Sequence, residues 1–291
     1  MIQHVHIDFK ITALQEAAIQ QFGESSEYNL KPLKSIYECF EKLNNDEIDY
    51  SVVPFENSTN GQVMFTYDLF REWLITNESK IQIIGEQFVS IHHNLLTNAK
   101  DISKIKKIYT HPQAWGQCSN WIKKNASNLE KIDSSSTSKA AEIAKSSSPE
   151  EGIAAIASEY ASDYHKVPIL VPHVENISSN TTRFLILSKE SKLIQQGEKV
   201  TALAFILKNN DPGELVKTLN ILSKYDINMT SITSRPSLLE SWQYVFFIEF
   251  YGDNDEDEWV KKALKEFNET CLKSAVLGSF TRNQLYYKDK K

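Results

Sequence analysis

Two rhythms of apolar residues alternate through the first two-thirds of the chain: short β-branched runs that suit buried strands, and three-to-four-residue spacings that suit helices. An Ala-rich helix starts near Thr12 and closes over Ile19 to Gly23. Ser35-Ile36-Tyr37-Glu38 has capping-box order, and Ile36, Phe40 and Leu43 follow at helical spacing. Asp49 to Pro54 predicts a short buried strand stopped by its proline. Ser58-Thr59-Asn60-Gly61 is turn chemistry, ahead of a helix through Leu69 and Trp73. Ile81 to Leu96 reads as extended. Pro112 suits the first position of a further helix, where its missing N–H costs nothing. The tract Asp133 to Ser138 caps an Ala-rich helix over Lys139 to Lys145, which ends at Ser146-Ser147-Ser148-Pro149. Gly152 to Ala157 is a strand and Glu159 to His165 a helix. Such alternation predicts α/β layers with largely parallel sheets.

The pattern changes near Gln196-Gly197-Glu198. Val200 to Leu207, Met229 to Ser234, Tyr244 to Tyr251 and Ala275 to Phe280 read as strands. Helices open at Asp211-Pro212-Gly213 and after the acidic run Asp253 to Glu258, which complements a helix N-terminus. The order is βαββαβ, that of a ferredoxin-like unit.

Length and composition narrow the classes. At roughly 150 residues per domain, 291 residues predict about two domains. With 41% hydrophobic and 24% charged residues, a disordered or fibrous chain is excluded. A formal charge of -6 without basic runs argues against nucleic-acid binding, which needs phosphate neutralisation. Cys39, Cys118 and Cys271 are too scattered for a disulfide framework or a zinc site. No signal peptide or membrane-length apolar stretch is visible, so the expectation is a reduced, cytoplasmic protein. His4-x-His6 and His92-His93 read as solvated or strand-edge histidines, because no third ligand lies nearby in sequence.

Candidate chemistry sits at three strand-to-helix junctions, where open α/β sheets bind ligands. The first runs from Val53 to Val63 and carries Glu56, Asn57 and Ser58. The second runs from Thr110 to Cys118, with Thr110 and His111 at a helix start and Gln117 two turns in. The third is Asn180-Thr181-Thr182-Arg183-Phe184, which pairs a hydroxyl with a guanidinium fork suited to a carboxylate. Each has a plainer reading, as a turn, a cap or a surface ion pair.

Taken together, these strings resemble the prephenate dehydratase family. Val-Pro-x-Glu-Asn-Ser-x-x-Gly-x-Val corresponds to Val53 to Val63, and His-Pro-Gln-Ala-x-x-Gln-Cys to His111 to Cys118. Ala-Ile-Ala-Ser corresponds to Ala155 to Ser158, and Asn-x-Thr-Arg-Phe to Asn180 to Phe184. The wording around Phe55 to Gln62 and Glu86 to His93 is similar to the fungal branch. The resemblance implies a two-lobed, periplasmic-binding-protein-like catalytic domain over 1–190. Its lobes would be 1–86 with 175–190, and 87–174. A ferredoxin-like ACT regulatory domain would span 198–285.

The implied activity is the decarboxylating dehydration of prephenate to phenylpyruvate in phenylalanine biosynthesis, with no metal or organic cofactor. Thr182 is implied as the hydrogen-bond donor to the departing ring hydroxyl. Glu56 is implied either as a buried neutral acid or as a structural residue of its turn. Asn57, Ser58, Thr110, Gln117, Arg183, Phe184 and Thr12 are implied as substrate-binding. Effector phenylalanine would meet Asp211, Gly213, Leu215, Ser234 and Arg235, between ACT units paired in a homodimer or homotetramer. The chain departs from the family in two places. Asp8 to Leu14 replaces a Gly-Pro-x-Gly-Thr-aromatic-Ser loop, with only Thr12 matching. Glu214 and Thr233 also alter the two effector motifs. Two alternatives therefore stand: a non-catalytic ligand-binding homologue with a degenerate N-terminal loop, and an arogenate dehydratase.

Overall fold

A computed structural model of the chain describes residues 3–8, 13–23, 28–76, 80–189 and 197–283. Chain order begins β1 (Gln3–Asp8), α1 (Ala13–Phe22), β2 (Tyr28–Leu33), α2 (Ile36–Asn44), β3 (Tyr50–Asn57), β4 (Gly61–Gln62), α3 (Met64–Thr76) and β5 (Gln82–Ser90). Then follow β6 (Asn94–Thr97), β7 (Lys107–Thr110), α4 (Pro112–Gln117), α5 (Ser119–Asn125), β8 (Glu130–Asp133), α6 (Thr137–Ser146), β9 (Ile153–Ala157), α7 (Glu159–His165), β10 (Ile169–Val171) and β11 (Thr181–Ser188). The last third is β12 (Lys199–Ile206), α8 (Glu214–Lys224), β13 (Met229–Pro236), β14 (Tyr244–Tyr251), α9 (Glu258–Thr270) and β15 (Lys273–Thr281).

Local chemistry explains the element ends. Ser35 Oγ accepts the Glu38 N–H at 3.1 Å while Glu38 takes the Lys34 N–H at 2.8 Å, and the following spacing buries Cys39, Phe40 and Leu43. Ser136 caps α6 and Ser158 caps α7 in the same way. Pro54 does not stop its strand, contrary to the sequence expectation. The pairing of β3 with β11 slips between Arg183 and Phe184, and this bulge at Pro54 and Phe55 accommodates a residue that lacks an N–H.

Three sheets result. The first has the order β2-β1-β3-β11-β5, with β4 paired to β3; the second has the order β10-β6-β9-β7-β8. Both are mixed rather than largely parallel. β5 and β6 carry the chain out of the first sheet and into the second, and β11 returns it to pair antiparallel with both β3 and β5. The crossovers are 91–93 and 172–180, not Glu86, which lies inside an uninterrupted β5. The third sheet, β13-β14-β12-β15, is antiparallel throughout and has the βαββαβ connectivity expected.

The third sheet has two buried faces. One carries Phe205, Phe250 and Ile248 against Val260 and Phe267 of α9. The other presents Val200, Ala204, Val245, Phe247 and Phe280 to the first sheet and to α2 and α3, forming one continuous core with Phe40, Phe70, Ile83 and Leu185. Gly278 marks the closest approach. Its φ is +151°, and a Cβ there would lie 2.1 Å from the Ile83 carbonyl oxygen. Gly278→Ala is therefore expected to destabilise the chain by about 2–5 kcal/mol, from backbone strain plus overpacking, as read by urea denaturation. Among the described residues, no helix is long and apolar enough to cross a membrane.

Candidate active site

The first two sheets face each other across a cleft of about 690 Å³, a size typical of small-molecule sites. Its first wall is built where β3 ends. Asn57 Oδ1 accepts the N–H groups of Thr59 and Asn60 at 3.0 and 2.9 Å, closing the turn that the polar run predicts. The amide nitrogen of Asn57 then donates to Asn180 Oδ1 and Thr182 Oγ1, both at 2.9 Å. Ser58 and Thr181 exchange backbone and hydroxyl bonds across the same junction, at 2.8 and 2.9 Å. The end of β3 and the start of β11, more than a hundred residues apart, are thereby locked together.

Alternation along β11 decides what faces the cleft. Thr182 and Phe184 line it. Thr182 Oγ1 already accepts from Asn57, and among the described residues nothing takes its hydroxyl hydrogen. That proton remains available to an acceptor in the cleft. Arg183 points the other way, which corrects the expectation that it meets a substrate carboxylate. Its Nε donates to Glu86 at 2.7 Å, and its two terminal nitrogens clasp Glu249 of β14 at 2.9 and 2.7 Å. The guanidinium also lies 5.2 Å from the Phe55 ring centroid. Arg282 joins the cluster through Glu86 at 3.3 Å. Burial pushes the Glu249 carboxyl up, but the two guanidiniums outweigh it and hold the group below the usual range.

The opposite wall is made by the second sheet. His111, Gln113, Ala114 and Gln117 reach the cleft from α4, and Ser135, Ser136 and Thr137 from the start of α6. The first N–H groups of α6 have no intrahelical acceptor and carry the positive end of its dipole. Gln117 is held by His93, whose Nε2 lies 2.7 Å from Gln117 Oε1. Burial pulls the His93 pKa down, so the ring is neutral and donates through Nε2, leaving the Gln117 amide hydrogens for the cleft. Among the described residues lining the cleft there is no Lys or Arg.

Other expected site residues lie elsewhere. Glu56 does not line the cleft; it stands opposite Arg183 in the β3–β11 register, and its charge raises the Tyr67 phenol together with burial and Glu249. Ser58 braces the turn instead of facing the cleft. Thr110 is buried, its hydroxyl spent on the Ile156 carbonyl at 2.7 Å, tying β7 to β9. Cys118 is a core residue whose thiol burial pushes up to about 12. Thr12 lies outside the described residues, although Ala13 and Leu14 beside it line the cleft. Of the effector set, Asp211 and Gly213 are exposed before α8, Ser234 is exposed on β13, and Leu215 packs into the third sheet's core. Arg235 is turned toward α3, where it clasps Asp68 with two 2.9 Å bonds and approaches Met64.

Sequence reasoning missed His93, Asn180 and the Ser135–Thr137 stretch as site residues. Asn180 was visible beside Thr182 in its motif. His93 was hidden because its partner, Gln117, is distant in sequence.

Residues 10–192 match the family described as prephenate dehydratase. The chain belongs to the prephenate dehydratase family. A probable prephenate dehydratase of Saccharomyces cerevisiae is 36% identical over 319 residues, 96% of this chain and 96% of the relative. A bifunctional chorismate mutase/prephenate dehydratase of Aquifex aeolicus is 36% identical over 281 residues, covering 97% of this chain and 74% of that protein. A solved prephenate dehydratase from Arthrobacter aurescens, in complex with L-Phe, superposes with a TM-score of 0.82 at 27% identity, over 97% of this chain and 90% of that one. The family match thus covers the cleft, the likeness to the yeast and Aquifex relatives extends over nearly the whole chain, and this chain is a carbon–oxygen lyase of aromatic amino acid biosynthesis.

Proposed function

We propose that the cleft between the first two sheets converts prephenate to phenylpyruvate with Thr182 as the residue that assists departure of the ring hydroxyl. The observation that carries this reading is the 2.9 Å bond from Asn57 to Thr182 Oγ1. It fixes the threonine rotor and leaves its proton for the leaving oxygen. As that oxygen departs with the proton as water, the bond to the ring carboxylate breaks, its electron pair enters the ring, carbon dioxide leaves and the ring becomes aromatic; Thr182 Oγ1, held by the Asn57 amide, takes back a proton from solvent. Positioned proton donation of this kind contributes about 10²–10⁴-fold, which suffices where aromatisation drives the step. The two substrate carboxylates are held by neutral groups: the free N–H groups at the start of α6, the Gln117 amide and the polar turn after Asn57. Phe184 offers an apolar surface for the ring. Glu56, Ser58 and Thr110 support these groups from behind.

The third sheet serves as an ACT regulatory unit spanning 198–285, with phenylalanine as effector. Homodimers form through its β13 side, where Ile232, Leu238, Leu239 and Trp242 are exposed and β13 is, among the described residues, the edge strand of its sheet. All three cysteines are buried and none forms a disulfide, as suits a reducing cytoplasm. The test is purified protein supplied with prephenate and, separately, with arogenate, with and without L-phenylalanine, following aromatic product. Phenylpyruvate release from prephenate, lowered by phenylalanine, is expected. Turnover of arogenate alone would reassign the substrate. Inertness toward both would leave a binding protein.

A further inference from the structure

The two crossovers between the lobes meet at a cluster that plays no part in the cleft. His92 lies on the outgoing crossover; His173 and Glu175 lie on the returning one. Glu175 Oε1 sits 2.9 Å from His92 Nδ1 and 3.2 Å from His173 Nδ1, and the three candidate donor atoms lie within 4.8 Å of one another. A tetrahedral ion with bonds of about 2.0–2.1 Å separates its ligands by roughly 3.3 Å. The observed spacings are thus within side-chain adjustment of a coordination triangle. We infer that His92, His173 and Glu175 form a binding site for a borderline divalent transition metal ion, such as zinc, at the hinge between the lobes.

Three features of the surroundings support the assignment. Glu175 is almost fully buried and is preset by its other oxygen, which accepts the His93 N–H at 3.0 Å; oriented ligands of this kind are what metal sites require. His173 holds a left-handed backbone with φ 53°, rare for a residue with a Cβ, and its N–H is fixed to Asn94 Oδ1 at 3.1 Å. Such strain persists where the surroundings over-determine it and often marks functional positions. Further carboxyl groups stand nearby: Glu16 of α1, in the first lobe, is close enough to feel His92, and Glu159, opening α7 in the second, acts on Glu16 in turn. Two imidazoles and one carboxylate select zinc, nickel, cobalt or copper over magnesium or calcium. Each imidazole would present Nδ1 to the ion, its proton held on Nε2. His173 is largely exposed, so water can complete the coordination.

An ion here would bridge the outgoing and returning segments, which already share a 2.8 Å bond from the Val174 N–H to the His93 carbonyl. It would stiffen the hinge without entering the cleft.

The test is calorimetric titration of the purified, chelator-stripped full chain with zinc chloride, paired with the visible spectrum of the cobalt form and a thermal melt. Expected are one saturable site, ligand-field bands from cobalt and a raised melting temperature with zinc. His173→Asn keeps a residue that tolerates positive φ but removes an imidazole; it should weaken zinc roughly tenfold or more and abolish the thermal shift. Glu175→Gln should do the same. Replacing both His4 and His6 by alanine should leave affinity unchanged. Zinc affinity unaltered in both hinge variants, loss of binding in the His4/His6 variant, or no binding by the wild type would each overturn the assignment.

Discussion

Thr182→Ala lowers kcat on prephenate by about 10²–10⁴-fold, with KM little changed and the unfolding midpoint within error of wild type. The reasoning is local. Among the described residues the hydroxyl makes one bond, from Asn57, and that donor keeps two other acceptors at Asn180 and the Thr181 carbonyl when Thr182 is truncated. Stability therefore hardly depends on the hydroxyl, whereas departure of the ring hydroxyl loses its donor. Thr182→Ser, which keeps the hydroxyl but frees its rotor, should retain part of the rate. Steady-state assays alongside urea melts separate the two readings. Near wild-type turnover by the alanine variant would remove Thr182 from the chemistry.

Arg183→Leu has a large effect of another kind. It leaves Glu86 and Glu249 buried with, among the described residues, Arg282 to balance both, and removing one partner of a buried ion cluster costs about 3–5 kcal/mol. Loss of stability, not a specific rise in KM, is the expected signature. Adding Glu249→Gln to Arg183→Leu should recover part of the loss, since it removes one stranded charge. The pH dependence has a definite sign. The Glu249 carboxyl is held below its ordinary value in the folded state. Its contribution is therefore present above the unfolded carboxylate pKa of about 4.3 and is lost as pH falls through the depressed folded value. Wild-type urea midpoints should drop on acidification below about pH 4.3, and less steeply in Glu249→Gln.

Periodicity located most of the helices and the four C-terminal strands because local chemistry decides them: serine caps at Ser35, Ser136 and Ser158, and Pro112 at its helix start; it did not pick out β2, β7, β8, β10 or β11, whose short runs are defined by their pairing. What it could not supply was long-range pairing. Pro54 reads as a strand stop because its bulged pairing with β11 lies more than a hundred residues away in sequence. The parallel expectation failed because a chain that visits two sheets must send some strands back. Within the site, the motif strings name the right neighbourhoods but not the facing side. A strict alternation argument on Thr182-Arg183-Phe184 separates hydroxyl from guanidinium, since one strand cannot present adjacent side chains to one hollow. The fate of Arg183 depended on Glu249, 66 positions away, which no local pattern reveals. Thr110 likewise reads as a polar site residue because its acceptor, the Ile156 carbonyl, belongs to another strand.

The apolar continuity between the first sheet and the C-terminal sheet has a consequence for inheritance. A segment whose inner face is also the inner face of its neighbour is not a detachable cartridge. Ending the gene before β12 would strip the covering from Phe70, Ile83 and Leu185 and take Glu249 and Arg282 out of the buried ion cluster around Arg183 and Glu86. The two portions of this polypeptide therefore share one buried core, and a substitution on the inner face of either is felt by both.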